Sequence, residues 1–229
     1  MVLLGGLVQG SVGFGLNLVV VPVLAVLIPG SVPGSMVLIS MPMTLTMLLR
    51  EHHAIDWKGV RWITLGRLPG TLIGVAIVAA VPDTELAIVV GIVILLGVVA
   101  SVIHPGLRVS RASAASVGTI CGITGTAAGV DGPPIALLYQ RAEPQTLRAT
   151  LATCFLIGAT ISGTALAISG ELTVEQLELT LILLGPMLVG LALSGTVRHR
   201  IPPTALRPIV LGFATVAGLI AIARGVAAL

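Results

Sequence analysis

Gly6-Leu-Val-Gln-Gly10-Ser-Val-Gly13-Phe-Gly15, running on to Pro22, is answered later in the chain by Gly118-Thr-Ile-Cys-Gly122-Ile-Thr-Gly125, running on to Pro134. One offset of 112 residues superposes Gly6 on Gly118, Gly10 on Gly122, Gly13 on Gly125 and Pro22 on Pro134. Each stretch is a glycine-rich interruption of an apolar segment. Interrupted apolar segments at corresponding positions of two halves point to a midplane binding site in a membrane protein.

The surrounding composition agrees. Of 229 residues, 56% are hydrophobic and 9% charged, and the mean hydropathy is +1.12. Soluble domains carry about 25% charged residues. The chain therefore reads as an integral membrane protein with almost no soluble part. The 28 glycines suit closely packed membrane helices. The basic balance comes from a few loop arginines and gives no argument for nucleic acid. Cys121 and Cys154 lie in apolar segments without a CxxC spacing, so neither a disulfide framework nor a metal site is expected. The chain opens apolar, without a basic leader, so no cleavable signal peptide is expected.

Apolar segments fall at about 2–28, 33–49, 59–81, 84–103, 113–139, 149–169, 176–197 and 204–223. They are long and do not alternate, which predicts an all-α, polytopic fold. The duplication continues with slipping offsets: Gly66 answers Gly185, Thr84 and Leu86 answer Thr204 and Leu206, and Gly91 and Gly97 answer Gly212 and Gly218. Nothing resembling a linker separates the halves. The expected organisation is one transmembrane domain, 1–229, built from two repeats at about 1–105 and 112–229. Each repeat is one broken segment followed by three plainer ones.

Charge placement bears on how the repeats run. If all eight segments cross, basic loop residues divide six against five between the two faces. If the broken segments instead enter and leave on one face, Arg50, Lys58, Arg61, Arg108, Arg111, Arg141, Arg148, Arg198, Arg200 and Arg207 share one side. Only Arg224 then remains opposite, together with Asp83, Glu85, Glu171, Glu175 and Glu178. The second arrangement obeys the positive-inside rule and inverts the repeats, because each half crosses three times.

The breaks carry the candidate site: Gly10, Ser11, Gly13, Gly15 and Asn17 from the first, and Gly122, Thr124, Gly125, Thr126 and Gly129 from the second. Backbone freed at membrane depth has to line a cavity or be buried in protein. A half-helix starting there aims N–H groups and a positive dipole end at the cavity, which favours an anion. Neutral hydroxyls and the Asn17 amide add donors that hold an anion without trapping it. Close helix packing alone would also account for Gly6 and Gly118. Arg67 lies about 13 Å into its segment, near the middle of a ~30 Å hydrocarbon core. It can attract the anion, pair with Asp131, or snorkel. Asp131 is the one carboxylate within an apolar segment; it is a proton-coupling candidate or a cap for the turn before Pro133. Pro69 and Pro186 are candidate kinks. His52, His53, His104 and His199 read as loop or interfacial residues, and no metal ligand set or cofactor is expected.

The glycine-rich first segment ending in a proline resembles the TauE/SafE sulfite exporter family of small bacterial membrane proteins. So do His52 to Asp56-Trp57, Leu65-Gly66 to Gly70 and Gly74, Arg148-Ala149-Thr150-Leu151, and Leu184-Gly185-Pro186. That family usually carries a run close to Gly-x-Gly-Gly-Gly at both breaks. Val12-Gly13-Phe14-Gly15-Leu16 and Thr124-Gly125-Thr126-Ala127-Ala128-Gly129 depart from it. The resemblance implies a multi-pass protein of the bacterial inner membrane. It implies secondary transport of a sulfur-containing anion such as sulfite, thiosulfate or an organosulfonate, or of related carboxylates. The expected partners are a small anion and the lipid bilayer, with a homodimer open to it and no nucleic acid. A passive anion channel and a membrane subunit of a larger transport complex are the alternatives. No paired nucleophile and base marks the chain as an enzyme, and no nucleotide-binding motif is present.

Overall fold

A computed structural model describes residues 1–28, 30–102, 109–197 and 203–227. Among them the chain is all-α: α1 Val2–Val12, α2 Leu16–Leu27, α3 Gly34–Glu51, α4 Trp57–Ala80, α5 Asp83–Val102, α6 Arg111–Ala127, α7 Gly132–Leu138, α8 Pro144–Ser169, α9 Val174–Val197 and α10 Pro203–Ala227, with a 3-10 turn at His52–Ala54. By length and composition α4, α8 and α9 suffice to cross a bilayer. Large apolar side chains such as Leu72, Ile168, Leu181 and Ile182 lie on the outside of the bundle, as in a protein whose solvent is lipid. Arg108, Arg198, Arg200, His104 and His199, which the charge count used or weighed, lie outside the described residues.

Both interruptions exist, and both are tighter than the glycine pattern implies. α1 stays helical through Gly10 and Ser11 and ends at Gly13, so the first break is Gly13-Phe14-Gly15. Gly13 and Gly15 hold φ of 103° and 128°, where a side chain is strained. α6 stays helical through Gly122, Thr124, Gly125 and Thr126, so the second break is Ala128 to Asp131. The expectation of non-helical backbone from Gly10 and from Gly122 was too broad. Glycine within a helix that packs against another backbone costs little, and these glycines serve that contact. Pro69 and Pro186 lie inside α4 and α9 without ending either helix.

The packing exchanges the two halves. α6 runs beside α4 in the same direction. Gly118 faces the Ile63 backbone, Gly122 meets the Arg67 carbonyl and the Thr71 N–H, and Gly74 meets Thr126. α1 runs beside α9 in the same direction, with Gly6 against the Met187 carbonyl, Gly190 against the Leu3 carbonyl and Gly10 against Ser194. Thus the first arm of each broken segment rests on the long helix of the other half.

After each break the chain folds back. The Cys121 thiol donates to the Asp131 carbonyl at 3.2 Å, and Tyr139 at the end of α7 donates its hydroxyl to Asp56, the N-cap of α4, at 2.7 Å. Arg111 at the start of α6 stacks on Trp62, 5.7 Å from its ring centre, so α6 begins at the same end of α4 where α7 finishes. Burial first, and then the Asp56 carboxylate, hold the Tyr139 hydroxyl above its ordinary range, so it remains a donor. In the first half, Gln176 at the start of α9 donates to the Gly30 carbonyl just past α2, at 2.8 Å.

These contacts sort the loops to two ends. One end gathers Arg50, Lys58, Arg61, Arg111, Arg141 and Arg148 around the starts of α4, α6 and α8. The other gathers Glu171, Glu175 and Glu178 near Gly30 and Ser31 at the start of α9.

Candidate functional site

The two breaks meet each other. Asn17, in the first turn of α2, donates its side-chain amide to the carbonyl of Gly129. These residues are 112 apart, the same offset that superposes the duplicated glycines. A residue that touches its own repeat-equivalent sits where the two copies face each other, as at a two-fold axis. The Phe14 side chain packs on Gly132, where an added Cβ would lie 3.0 Å from the Phe14 Cβ.

Between the breaks lies a cavity of about 30 Å³, lined by Gln9, Phe14, Gly15, Asn17, Ser40, Arg67, Gly125, Gly129, Asp131 and Phe155 among others. Drug-sized pockets begin near 300 Å³. In this conformation the space suits an occupant of a few heavy atoms. Phe14 and Phe155 close its sides.

Arg67 is its charged element. It is 2% exposed, and its Nη1 donates to Asp131 Oδ2 at 2.7 Å. Its Nη2 donates to the Ser162 hydroxyl at 3.3 Å, and Ser162 and Thr126 share a hydrogen bond of 2.7 Å. α8 admits the guanidinium at Gly158, where any Cβ would collide with the guanidinium plane, coming within 2.7 Å of Nε. Gly125 gives the same clearance on α6, with Nη2 at 2.7 Å from the position of a Cβ. Arg67 therefore reaches across three helices and does not snorkel. Asp131 occupies the N-cap position of α7 but makes no cap hydrogen bond there, because its carboxylate is turned to Arg67.

Hydrogen-bonding capacity remains unused around this pair. Arg67 Nε, Asn17 Oδ1 and Thr124 Oγ1 are buried and have no partner. Buried polar groups are normally paired, so such orphans call for an explanation. The amide of Asn17 cannot be turned round to satisfy its oxygen, since that would set two acceptors face to face at Gly129. Helix-start N–H groups contribute less than the break pattern implies. Gln9 Oε1 already takes the Leu16 N–H at 3.0 Å, and Pro133 and Pro134 remove two donors from the first turn of α7. The guanidinium makes up that deficit.

Of the residues singled out from sequence, Gly15, Asn17, Arg67, Gly125, Gly129 and Asp131 line the cavity. Thr126 stands one hydrogen bond behind, through Ser162. The others serve elsewhere. Gly10 packs on α9, the Ser11 hydroxyl is spent on the Leu7 carbonyl at 2.8 Å, Gly13 admits the Arg148 side chain, and Gly122 lets α6 close on α4. Sequence reasoning did not single out Gln9, Phe14, Ser40, Phe155, Gly158 or Ser162. Gln9 and Phe14 lay within the quoted break and could have been found there. The remainder come from α3 and α8, whose sequences show no interruption.

The pair has no counterpart in the duplication. Arg67 follows Gly66 as Pro186 follows Gly185, and Val19 stands 112 residues before Asp131. The backbone of the site is twofold; its charges are not.

The sequence profile of the family described as "Sulfite exporter TauE/SafE" matches residues 1–220. A curated protein of Cupriavidus necator, "Probable sulfite/organosulfonate exporter TauE", is 26% identical over 175 residues, covering 72% of this chain and 68% of that protein. No solved structure matches the chain.

Proposed function

This chain belongs to the TauE/SafE sulfite exporter family, and we propose that it exports a small sulfur oxoanion or organosulfonate by alternating access between two inverted repeats. As a member of that family it is a multi-pass transporter of a bacterial cell membrane. The name of its Cupriavidus relative supports the substrate class.

The observation that carries the mechanism is the Arg67–Asp131 pair, buried at the meeting point of the two breaks. A guanidinium buried at membrane depth is costly and needs a partner or a function. Here it has both: Asp131 neutralises it at rest, while its Nε is left for a ligand. An anion entering the cavity competes with Asp131 for Arg67. The displaced carboxylate then faces a second negative charge, which favours its taking a proton. In this reading anion and proton travel together, with Asp131 as the coupling group.

Three contacts support the inverted arrangement. Asn17 meets its repeat-equivalent Gly129, α6–α7 begins and ends beside the start of α4, and α2 runs back to the start of α9. Each broken segment is then a re-entrant hairpin, one entering from each face, with three crossing helices per repeat. The basic end is cytoplasmic by the positive-inside rule.

Counterflow in proteoliposomes, with sulfite, thiosulfate, organosulfonates and small carboxylates offered in turn, tests the proposal. Saturable exchange of a sulfur anion is the expected result. Conductance without saturating exchange would make the protein a channel, and exchange of none of these anions would overturn the reading.

A further inference from the structure

Apart from the central cavity, the basic end of the bundle holds a second cavity of about 290 Å³, lined by Gly10, Met47, Arg50, Arg148, Leu191, Ser194 and Gly195. We propose that this cavity is an anion-capture site, where the substrate waits, still partly hydrated, before passing Phe14 into the central site. The inference rests on the transport reading above.

Its lining decides the chemistry. Two arginines face it and no carboxylate does. The walls between them are apolar or backbone, so the positive potential is not screened by a neighbouring acid, and a low-dielectric wall focuses it. It is roughly ten times the volume of the central cavity, enough for an anion with part of its water shell. Arg50 is exposed at the end of α3, where it can meet an incoming ion, and Arg148 is half-buried near the start of α8.

Its position decides the route. Arg148 leans over the first break: a Cβ at Gly13 would lie 3.0 Å from Arg148 Cγ and 3.5 Å from Leu151 Cδ1. The next residue, Phe14, lines the central cavity. Phe14 is therefore the partition between the two cavities, and it sits between two residues with φ of 103° and 128°. Only small backbone rotations at Gly13 and Gly15 are needed to swing its ring. The opposite end of the bundle offers the reverse potential. There the large cavity is lined by Glu171, Glu175 and Glu178. An anion is gathered at the basic end and repelled at the acidic one, a bias suited to export.

The first test does not depend on transport. Gly195 has open space around it, so Gly195→Cys introduces a thiol into the cavity, while the native Cys121 and Cys154 are buried. Negatively and positively charged methanethiosulfonate reagents of equal size are then compared in membranes. The anionic reagent should react roughly three- to tenfold faster than its intrinsic ratio predicts, and Arg50→Gln or Arg148→Gln should each remove part of that excess. High salt should erase it. Arg148→Lys keeps the charge and should keep the excess, which separates potential from packing. Equal rates for both reagents, or an excess that ignores both arginines, overturn the proposal.

The second test uses oriented proteoliposomes and radiolabelled sulfite. Arg50→Gln should raise KM from the basic face roughly three- to tenfold at low salt and leave KM from the other face and the maximal rate nearly unchanged. An equal change from both faces overturns the capture site. Labelling as expected in a protein that moves no sulfite overturns the transport reading and leaves the capture site standing.

Discussion

Asp131→Asn separates the two roles of the central pair. In the wild type Arg67 is 2% exposed and its strongest partner is the Asp131 carboxylate at 2.7 Å. Replacing the carboxylate by an amide leaves a full positive charge held by one hydroxyl at 3.3 Å. Breaking one partner of a buried pair costs about 3–5 kcal/mol. At this chain length that lowers the melting temperature by on the order of 10 °C. Arg67→Gln should cost less, because a stranded carboxylic acid can take up a proton and a guanidinium cannot lose one. The double variant Arg67→Gln/Asp131→Asn should recover most of the loss, since neither charge is left alone.

The ligand distinguishes structure from function. In Asp131→Asn an anion can replace the missing carboxylate. Sulfite should then raise the melting temperature of Asp131→Asn by more than that of the wild type, where it must first displace Asp131. At a hundred times Kd the stabilisation is about 2.7 kcal/mol. Exchange should survive in Asp131→Asn while pH-driven accumulation disappears, because the amide cannot cycle a proton. Arg67→Ala should lose sulfite binding, and Arg67→Lys should restore only part of it. Thermal unfolding in detergent and uptake in proteoliposomes, with and without a pH gradient, read all of these. If sulfite does not stabilise Asp131→Asn, or if the double variant transports like the wild type, the pair is structural and the reasoning fails.

Gly158→Ala forces the guanidinium out of its slot on α8; transport should drop at least tenfold while detergent-solubilised protein stays helical by circular dichroism. Gly118→Ala drives a methyl group into the Ile63 backbone and should lower the melting temperature sharply, whereas Gly185→Ala and Gly212→Ala, with nothing within 4 Å, should be neutral or slightly stabilising. Tyr139→Phe removes the bond that ties the end of α7 to Asp56 and should cost about 1–3 kcal/mol. Because the folded state holds that hydroxyl above its ordinary range, the wild-type advantage should be flat below about pH 10 and fall above it, as the unfolded chain ionises first. Single cysteines at Lys58 and Arg141 should label from the cytoplasm and one at Glu171 from the opposite face; labelling of 58 and 141 from different faces would refute the re-entrant reading of α6–α7.

The legible part of this molecule was its backbone. Glycine spacing and apolar length located both interruptions, and the 112-residue offset anticipated which positions meet, because a break in a membrane helix leaves a compositional scar. The loop charges separated the two ends for the same reason, since lipid leaves so few places for arginine. The sequence could not assign the glycines. Gly13 and Gly15 take positive φ, while Gly10 and Gly122 are helical packing positions, and the four look alike in a row of letters. Nor did it reveal Ser162 and Gly158. Their role is set by a guanidinium arriving from α4, about 90 residues earlier, and nothing local to α8 records that visit.

The exchanged packing constrains how such a protein can move. α4 lies on α6, and α1 on α9, with main chain against main chain at Gly66, Gly118 and Gly122 on one side and at Gly6 and Gly190 on the other. Contacts this close leave no slack for sliding, so each pair behaves as one body. Between the two bodies the connections are softer: the Asn17–Gly129 hydrogen bond, the Phe14 ring on Gly132, and the space around Arg67. Any rocking that exposes the central cavity to alternate faces therefore divides α1–α9 from α4–α6. The moving units are assembled from both halves of the sequence. A cross-link between α1 and α9, for instance Leu3→Cys with Gly190→Cys, should leave transport intact, whereas one between Asn17→Cys and Gly129→Cys should stop it. Arrest by the first cross-link would show that the halves move as the sequence divides them.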